Sequence, residues 1–126
     1  MPIETLYELF QKHLLVETDS RNLKPGCIFF ALRGDNFNGN QFAKQALEAG
    51  AAAAIIDDSA FYVDERTIVV ENTLTTLQQL AKFHRQQFNI PFIAITGSNG
   101  KTTSKELVNA VLASAFRTYT TQGNLN

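Results

Sequence analysis

The segment Cys27-Ile28-Phe29-Phe30-Ala31-Leu32 limits the possible folds of this chain more than any other. It is apolar at odd and even positions alike, so a strand built from it presents apolar side chains to both faces and needs cover on both. The core of the first half belongs here. Ala53–Ile56 and Thr67–Val70 read as two more strands. Between them run segments of helical period. Ile3, Leu6, Leu9, Phe10 and His13 predict a short amphipathic helix over residues 3–14, and Pro25-Gly26 marks a turn. Gly34–Asn40 reads as a polar loop, with Asn40 placed to cap a helix carrying Phe42, Ala46 and Leu47 that Gly50 ends. Thr73 opens a helix whose stripe is Leu74, Leu77, Leu80, Ala81, His84 and Phe88, and the phenylalanine-rich stripes read as core. The expectation is an α/β fold whose first domain, residues 1–88, is a small β/α unit.

Asn89-Ile90-Pro91 breaks the helical pattern and marks a domain boundary, with residues 89–126 as the second part. Phe92-Ile93-Ala94-Ile95 has the pattern of a buried parallel strand, followed by a glycine-containing loop. Leu107, Val108, Val111, Leu112 and Ala115 then predict a second long helix, and Thr118–Thr121 the start of another strand. One strand and one helix cannot bury their own apolar faces, so the second part reads as the truncated start of a larger domain.

Composition narrows the function classes. Eleven Lys and Arg against twelve Asp and Glu give a net charge of −1, and 18% of the 126 residues are charged, which provides no basic surface for nucleic acid. A hydrophobic content of 44% argues against disorder. The single Cys27 excludes an internal disulfide and a cysteine zinc site, fits a reducing cytosol, and reads as a packed small hydrophobe. His13 and His84 lack the spacing of a ligand pair and read as half-buried helix residues. The start of the chain has no signal-peptide pattern, and the longest apolar stretch, Ala51–Ile56, is too short to cross a bilayer. A soluble, cytoplasmic protein without membrane association is expected.

The chemistry lies in Thr96-Gly97-Ser98-Asn99-Gly100-Lys101-Thr102-Thr103, between an expected buried strand and a helix. Gly97 and Gly100 let the main chain approach phosphate oxygens, and the amides from Asn99 to Thr103 can turn toward the anion. The helix N-terminus adds positive potential, Lys101 a full charge for the β- and γ-phosphates, and Thr102 a hydroxyl for Mg²⁺. These features favour binding of ATP phosphates through Gly97, Ser98, Asn99, Gly100, Lys101, Thr102 and Thr103. The general phosphate-loop pattern has a glycine six residues before its lysine, where this chain has Ile95.

Together with Ile95, that loop resembles the ATP loop of the Mur ligases, which also lack the first glycine. Three further segments carry the resemblance. Thr18-Asp19-Ser20-Arg21 with Pro25-Gly26 and the following strand is similar to the opening of the family's UDP-binding domain. Gly34-Asp35-Asn36-Phe37-Asn38-Gly39-Asn40-Gln41-Phe42 resembles the next signature of that domain. Gly123-Asn124-Leu125-Asn126 looks like the segment of the branch that adds D-alanyl-D-alanine.

The resemblance implies the first part of an ATP-dependent ligase of peptidoglycan precursor synthesis. Such an enzyme joins D-alanyl-D-alanine to UDP-N-acetylmuramoyl-tripeptide through an acyl phosphate, and it is expected to be a monomer when full length. Lys101 and Thr102 would be catalytic, with Thr102 on the metal. The substrate site would comprise Ser20, Arg21, Asn36, Phe37, Asn38 and Gly39, with Asn124 and Asn126 contributing there or ordering the active site. Arg21 has two readings, a diphosphate contact or a brace through Asp19, and Phe37 could be only a loop anchor. A second metal-binding carboxylate should follow the ATP loop, yet no Asp or Glu occurs after Glu106, so this chain alone is expected to have no ligase turnover. Asp57-Asp58, at a strand end, reads as a pair of solvated turn residues. The alternatives are a ligase adding a single amino acid, against which the final Gly-Asn-Leu-Asn argues, and a free-standing nucleotide-sugar binding module.

Overall fold

A computed structural model describes residues 1–122, in two units, Met1–Asn89 and the part from Ile90 onward. The first is an α/β unit, as expected. Its elements are α1 (Ile3–His13), β1 (Val16–Glu17), β2 (Ile28–Phe30), β3 (Arg33–Gly34), β4 (Phe37–Asn38), α2 (Ala43–Glu48), β5 (Ala53–Ile56), β6 (Thr67–Val69) and α3 (Thr73–Gln86). Strands β1, β2, β5 and β6 form one parallel sheet in the order β1-β2-β5-β6.

The two-sided apolar character of the central run explains the layering. Cys27, Phe29 and Ala31 face one way, with Ala54 and Ile56, and α2 covers them with Ala43, Ala46 and Leu47. Ile28 and Phe30 face the other way, with Ala53 and Ile55, and α1 and α3 cover them with Leu6, Tyr7 and Leu80. Full burial of each large side chain stabilises the unit by about 1.5–3 kcal/mol. Cys27 is packed in the first layer, as its apolar neighbours require, while His13 and His84 are half-buried on their helices. His84 Nδ1 lies 3.1 Å from the Tyr7 hydroxyl, which ties α3 to α1.

Several expectations are corrected. The segment read as a polar loop folds as a small antiparallel hairpin, with Arg33 opposite Asn38 and Gly34 opposite Phe37. Asn40 does not cap α2: Asn38 instead caps the 3-10 turn Gly39–Phe42 by accepting from the Asn40 amide, and Asn40 is buried. Phe42, Leu74 and Phe88 are exposed: α2 turns Ala43, Ala46 and Leu47 to the core, and the core face of α3 is formed by Thr73, Leu77, Leu80 and Phe83. Not every phenylalanine stripe is core. The edge strand β1 had no apolar run to announce it.

The second unit contains α4 (Lys101–Ala113) as expected, but Phe92–Ile95 forms no strand and its Phe92 and Ile93 side chains are exposed. Among the described residues that run joins neither sheet, and an apolar run becomes a buried strand only beside strands that share its hydrogen bonds. Thr118–Thr121 is not a strand either. It is fastened to α4 through side chains, Thr118 Oγ1 donating to Asn109 Oδ1 at 2.8 Å and Lys105 Nζ to the Thr121 carbonyl at 2.5 Å.

Candidate functional site

The loop Thr96–Gly100 is exposed and leads into α4. Gly100 caps that helix at φ 75° and ψ 7°, a left-handed conformation that side chains with a Cβ rarely take. A Cβ there would meet nothing within 4 Å, so the glycine serves the turn of the backbone and leaves open space in front of it. No side chain caps α4, and its first turn, Lys101-Thr102-Thr103-Ser104, carries no acid. The Ser104 amide closes the first intrahelical bond onto the Gly100 carbonyl at 2.9 Å. The amides before it form the anion-attracting end of a helix, and no carboxylate on that turn competes for them. Lys101 folds back over the loop, its Nζ donating to the Gly97 carbonyl oxygen at 2.6 Å. One ammonium thus lies across the mouth of the turn, held by a single exposed bond that an incoming anion can replace. Gly97, Ser98, Asn99, Gly100, Lys101, Thr102 and Thr103 are brought together here by continuity of chain.

In the first unit the hairpin residues Asn36, Phe37 and Asn38 line an open pocket of about 520 Å³ with Arg33, Asp35 and Gln41. Phe37 is exposed and points a ring at this space among amide groups that can donate and accept hydrogen bonds. Gly39 has a packing reason of its own. A Cβ would lie 2.4 Å from the Leu32 carbonyl oxygen, which forces the turn against the end of the core strand.

Behind the pocket stands Asp57, which is no solvated turn residue: its side chain is 7% exposed. Oδ1 accepts from Arg33 Nε at 2.7 Å and Asn40 Nδ2 at 2.9 Å. Oδ2 accepts from the Thr73 amide and hydroxyl, each at 3.2 Å. The Asp57 amide in turn donates to Asn40 Oδ1 at 3.0 Å. Burial pushes the carboxyl pKa up, but the bonds from Asn40, the Thr73 amide, Arg33 and the Thr73 hydroxyl outweigh it and hold the group below its ordinary value. Asp58, by contrast, caps the turn at Ser59–Phe61 by accepting from the Ala60 amide at 3.0 Å. Sequence reasoning missed Asp57, Asn40, Arg33 and Thr73 as one group. The available signal was an acid directly after an apolar strand, with an Asn in the preceding loop and a Thr opening the next helix.

Asp19 and Arg21 form the brace, one of the two readings of Arg21. The guanidinium meets both carboxylate oxygens, with Nη2 to Oδ2 at 2.7 Å and Nε to Oδ1 at 2.9 Å, and the Arg21 amide adds a bond at 2.9 Å. Hydrogen bonding from Arg21 brings the Asp19 pKa down to about 2. Ser20 is half-buried in the same turn. Asn124 and Asn126 lie outside the described residues. Among the described residues no cluster of three or more His, Cys, Asp or Glu could hold a metal ion, and no helix is long and apolar enough to cross a membrane.

The chain thus combines a two-faced parallel α/β unit with a glycine-turned, lysine-bearing helix start, which places it in the α/β class. Residues 14–85 match the Mur ligase family, catalytic domain, and residues 95–126 match the Mur ligase middle domain. This chain belongs to the Mur ligase family. It is 45% identical over 113 residues to the UDP-N-acetylmuramoyl-tripeptide--D-alanyl-D-alanine ligase of Bacillus subtilis, a match that covers 88% of this chain and 25% of that protein. The Synechocystis protein of the same name is 45% identical over 111 residues, covering 86% and 24%. Among solved structures, the MurF ligase of Thermotoga maritima in complex with ADP superimposes with a TM-score of 0.77 at 33% identity, over 89% of this chain and 26% of that one. The chain therefore spans about a quarter of the length of these relatives.

Proposed function

We propose that this chain is the nucleotide-sugar unit and the start of the ATP unit of a cytoplasmic, monomeric ligase that joins D-alanyl-D-alanine to UDP-N-acetylmuramoyl-tripeptide. The observation that carries this reading is the turn at Gly100 with Lys101 folded across it, in a chain whose relatives bear that name. In the reaction a carboxylate oxygen of the tripeptide attacks the γ-phosphorus of ATP and ADP leaves. The amine of D-alanyl-D-alanine then attacks the acyl carbon, phosphate departs with the bonding pair, and the nitrogen loses a proton. Activation is needed because an oxide is a poor leaving group and phosphate a good one.

Gly97, Ser98, Asn99, Gly100 and Thr103 would wrap the phosphates with main-chain amides, and Lys101 would exchange the Gly97 carbonyl for phosphate oxygens. Thr102 would offer its hydroxyl to Mg²⁺, which neutralises charge on the phosphates when bound. One exposed hydroxyl fits such an ion only as a single ligand, so the phosphates, water and carboxylates beyond this segment would complete its shell. In the first unit Asn36, Phe37, Asn38 and Gly39 would receive the uridine nucleotide, with Ser20 beside them in sequence logic and Arg21 serving chiefly as the brace. Asn124 and Asn126 would assist at the substrate.

Calorimetric titration of the chain with UDP-N-acetylmuramoyl-tripeptide and, separately, Mg-ATP tests the reading. Binding of the first is expected, with no phosphate release on adding D-alanyl-D-alanine; such release would overturn the expectation that this segment is inactive alone. In the complete ligase, Lys101→Ala should abolish ligation and leave affinity for the UDP substrate nearly unchanged. Retained ligation would remove the lysine from its assigned role.

A further inference from the structure

We propose that Asp57 is a positioning residue for the ligand of the first unit: without touching that ligand, it locks the β3–β4 hairpin in the geometry that receives it. The proposal rests on the nucleotide reading above for the identity of the ligand, but not for the lock itself.

The hairpin cannot hold its own shape. Each of its strands is two residues long, and an isolated ribbon of that size is unstable in water. What fixes it lies at the end of β5, where one carboxylate accepts from three separate stretches of chain: Arg33 of β3, Asn40 of the turn that follows β4, and Thr73 at the start of α3. Two of these lead straight to the pocket. Arg33 lines it, and Asn40 Nδ2 also donates to Oδ1 of the pocket residue Asn38, at 2.7 Å. Asp57 is therefore one hydrogen bond from one pocket wall and two from another. Its negative charge also sits at the N-terminus of α3, where the helix dipole favours it. Asparagine at this position has nearly the same shape but presents an NH₂ where one carboxylate oxygen stood. Turned one way, the NH₂ faces two donors, Arg33 Nε and Asn40 Nδ2; turned the other way, it faces the Thr73 amide, while the Thr73 hydroxyl keeps the Ala31 carbonyl, 3.1 Å away, as its acceptor.

The test uses the whole 126-residue chain, wild type and Asp57→Asn, in two arms. In the first, without ligand, amide hydrogen exchange is followed at Gly39 and Asn40, whose N–H groups bond to the Leu32 carbonyl and Asn38 Oδ1. Exchange at both should speed up at least tenfold in Asp57→Asn relative to Leu80 in α3. In the second, titration with UDP-N-acetylmuramoyl-tripeptide should show at least tenfold weaker binding by Asp57→Asn. Leu80→Ala, which weakens the same unit from the other sheet face, should keep its affinity within twofold. Should Asp57→Asn fail to fold, Arg33→Gln removes the guanidinium that bonds to Asp57 Oδ1 and the Asp57 carbonyl and pairs with Asp58; because Arg33 also lines the pocket, the exchange arm decides there, with about threefold faster exchange at Gly39 and Asn40 expected.

Unchanged exchange at Gly39 and Asn40 overturns the lock. Faster exchange with unaltered affinity, or an equal loss of affinity in Leu80→Ala, overturns the positioning role. A wild-type chain that does not bind the nucleotide overturns the ligand assignment instead, and the exchange arm still decides the lock.

Discussion

Phe29 and Ile93 stand in short apolar runs of the same kind, each followed by a polar turn and a helix, yet Phe29 is 1% exposed and Ile93 65%. The difference is not in the residues. Phe29 lies in a strand with parallel partners on both sides and a helix over it, whereas Phe92–Ile95 has no strand partner among the described residues. Burial belongs to the neighbourhood that a run joins, and the run itself states only the demand.

The contrast can be broken most directly by truncation. Phe30→Ala should cost the first unit about 3–5 kcal/mol, because the surrounding strands cannot close over the cavity. Ile93→Ala should stay within about 0.5 kcal/mol, as exposed substitutions do. Urea unfolding followed by circular dichroism compares the two, and similar losses would show that the second unit has a core of its own.

Glycines sharpen the same comparison at smaller cost. Gly39→Ala drives a Cβ to 2.4 Å from a backbone oxygen and 2.8 Å from the Ala31 carbonyl carbon, so about 1–3 kcal/mol should be lost from the first unit. Gly100→Ala meets no atom and should cost only about 1–2 kcal/mol of left-handed strain, read as fraying of α4 rather than unfolding.

The smallest effect is in acid. Because the folded-state pKa of Asp57 is held below its ordinary value of 3.8, the stability it contributes is fully present above that value. It is lost as pH falls below it. Urea-derived stability of the first unit should therefore drop on acidification, and Asp57→Asn should flatten part of that drop. An identical acid profile in the variant would mean that the four bonds to this carboxylate do not favour its charged form.

Much of the fold could be read along the chain. Apolar runs at Cys27–Leu32 and Ala53–Ile56 became strands, and helical periods at Ile3–His13 and Thr73–Gln86 became helices, because periodicity and turn chemistry act within a few residues. The turn at Gly100 and the start of α4 were equally readable, since their parts are consecutive. Stripe edges were not: Leu74 and Phe88 follow the period of α3 but lie beyond the reach of the sheet. The hairpin was hidden because two-residue strands carry no pattern.

By itself the sequence determined the alternation of strand and helix, the two-sided character of the central strand, and the composition of the Gly97–Thr103 loop, all of which depend on residues adjacent in the chain. Only the tertiary structure decided that Asp57 is a buried hub and Asn40 its partner rather than a helix cap. Their bonds join residues 16 to 24 apart, and such contacts exist only after β2 and β5 pair and bring the strand ends together.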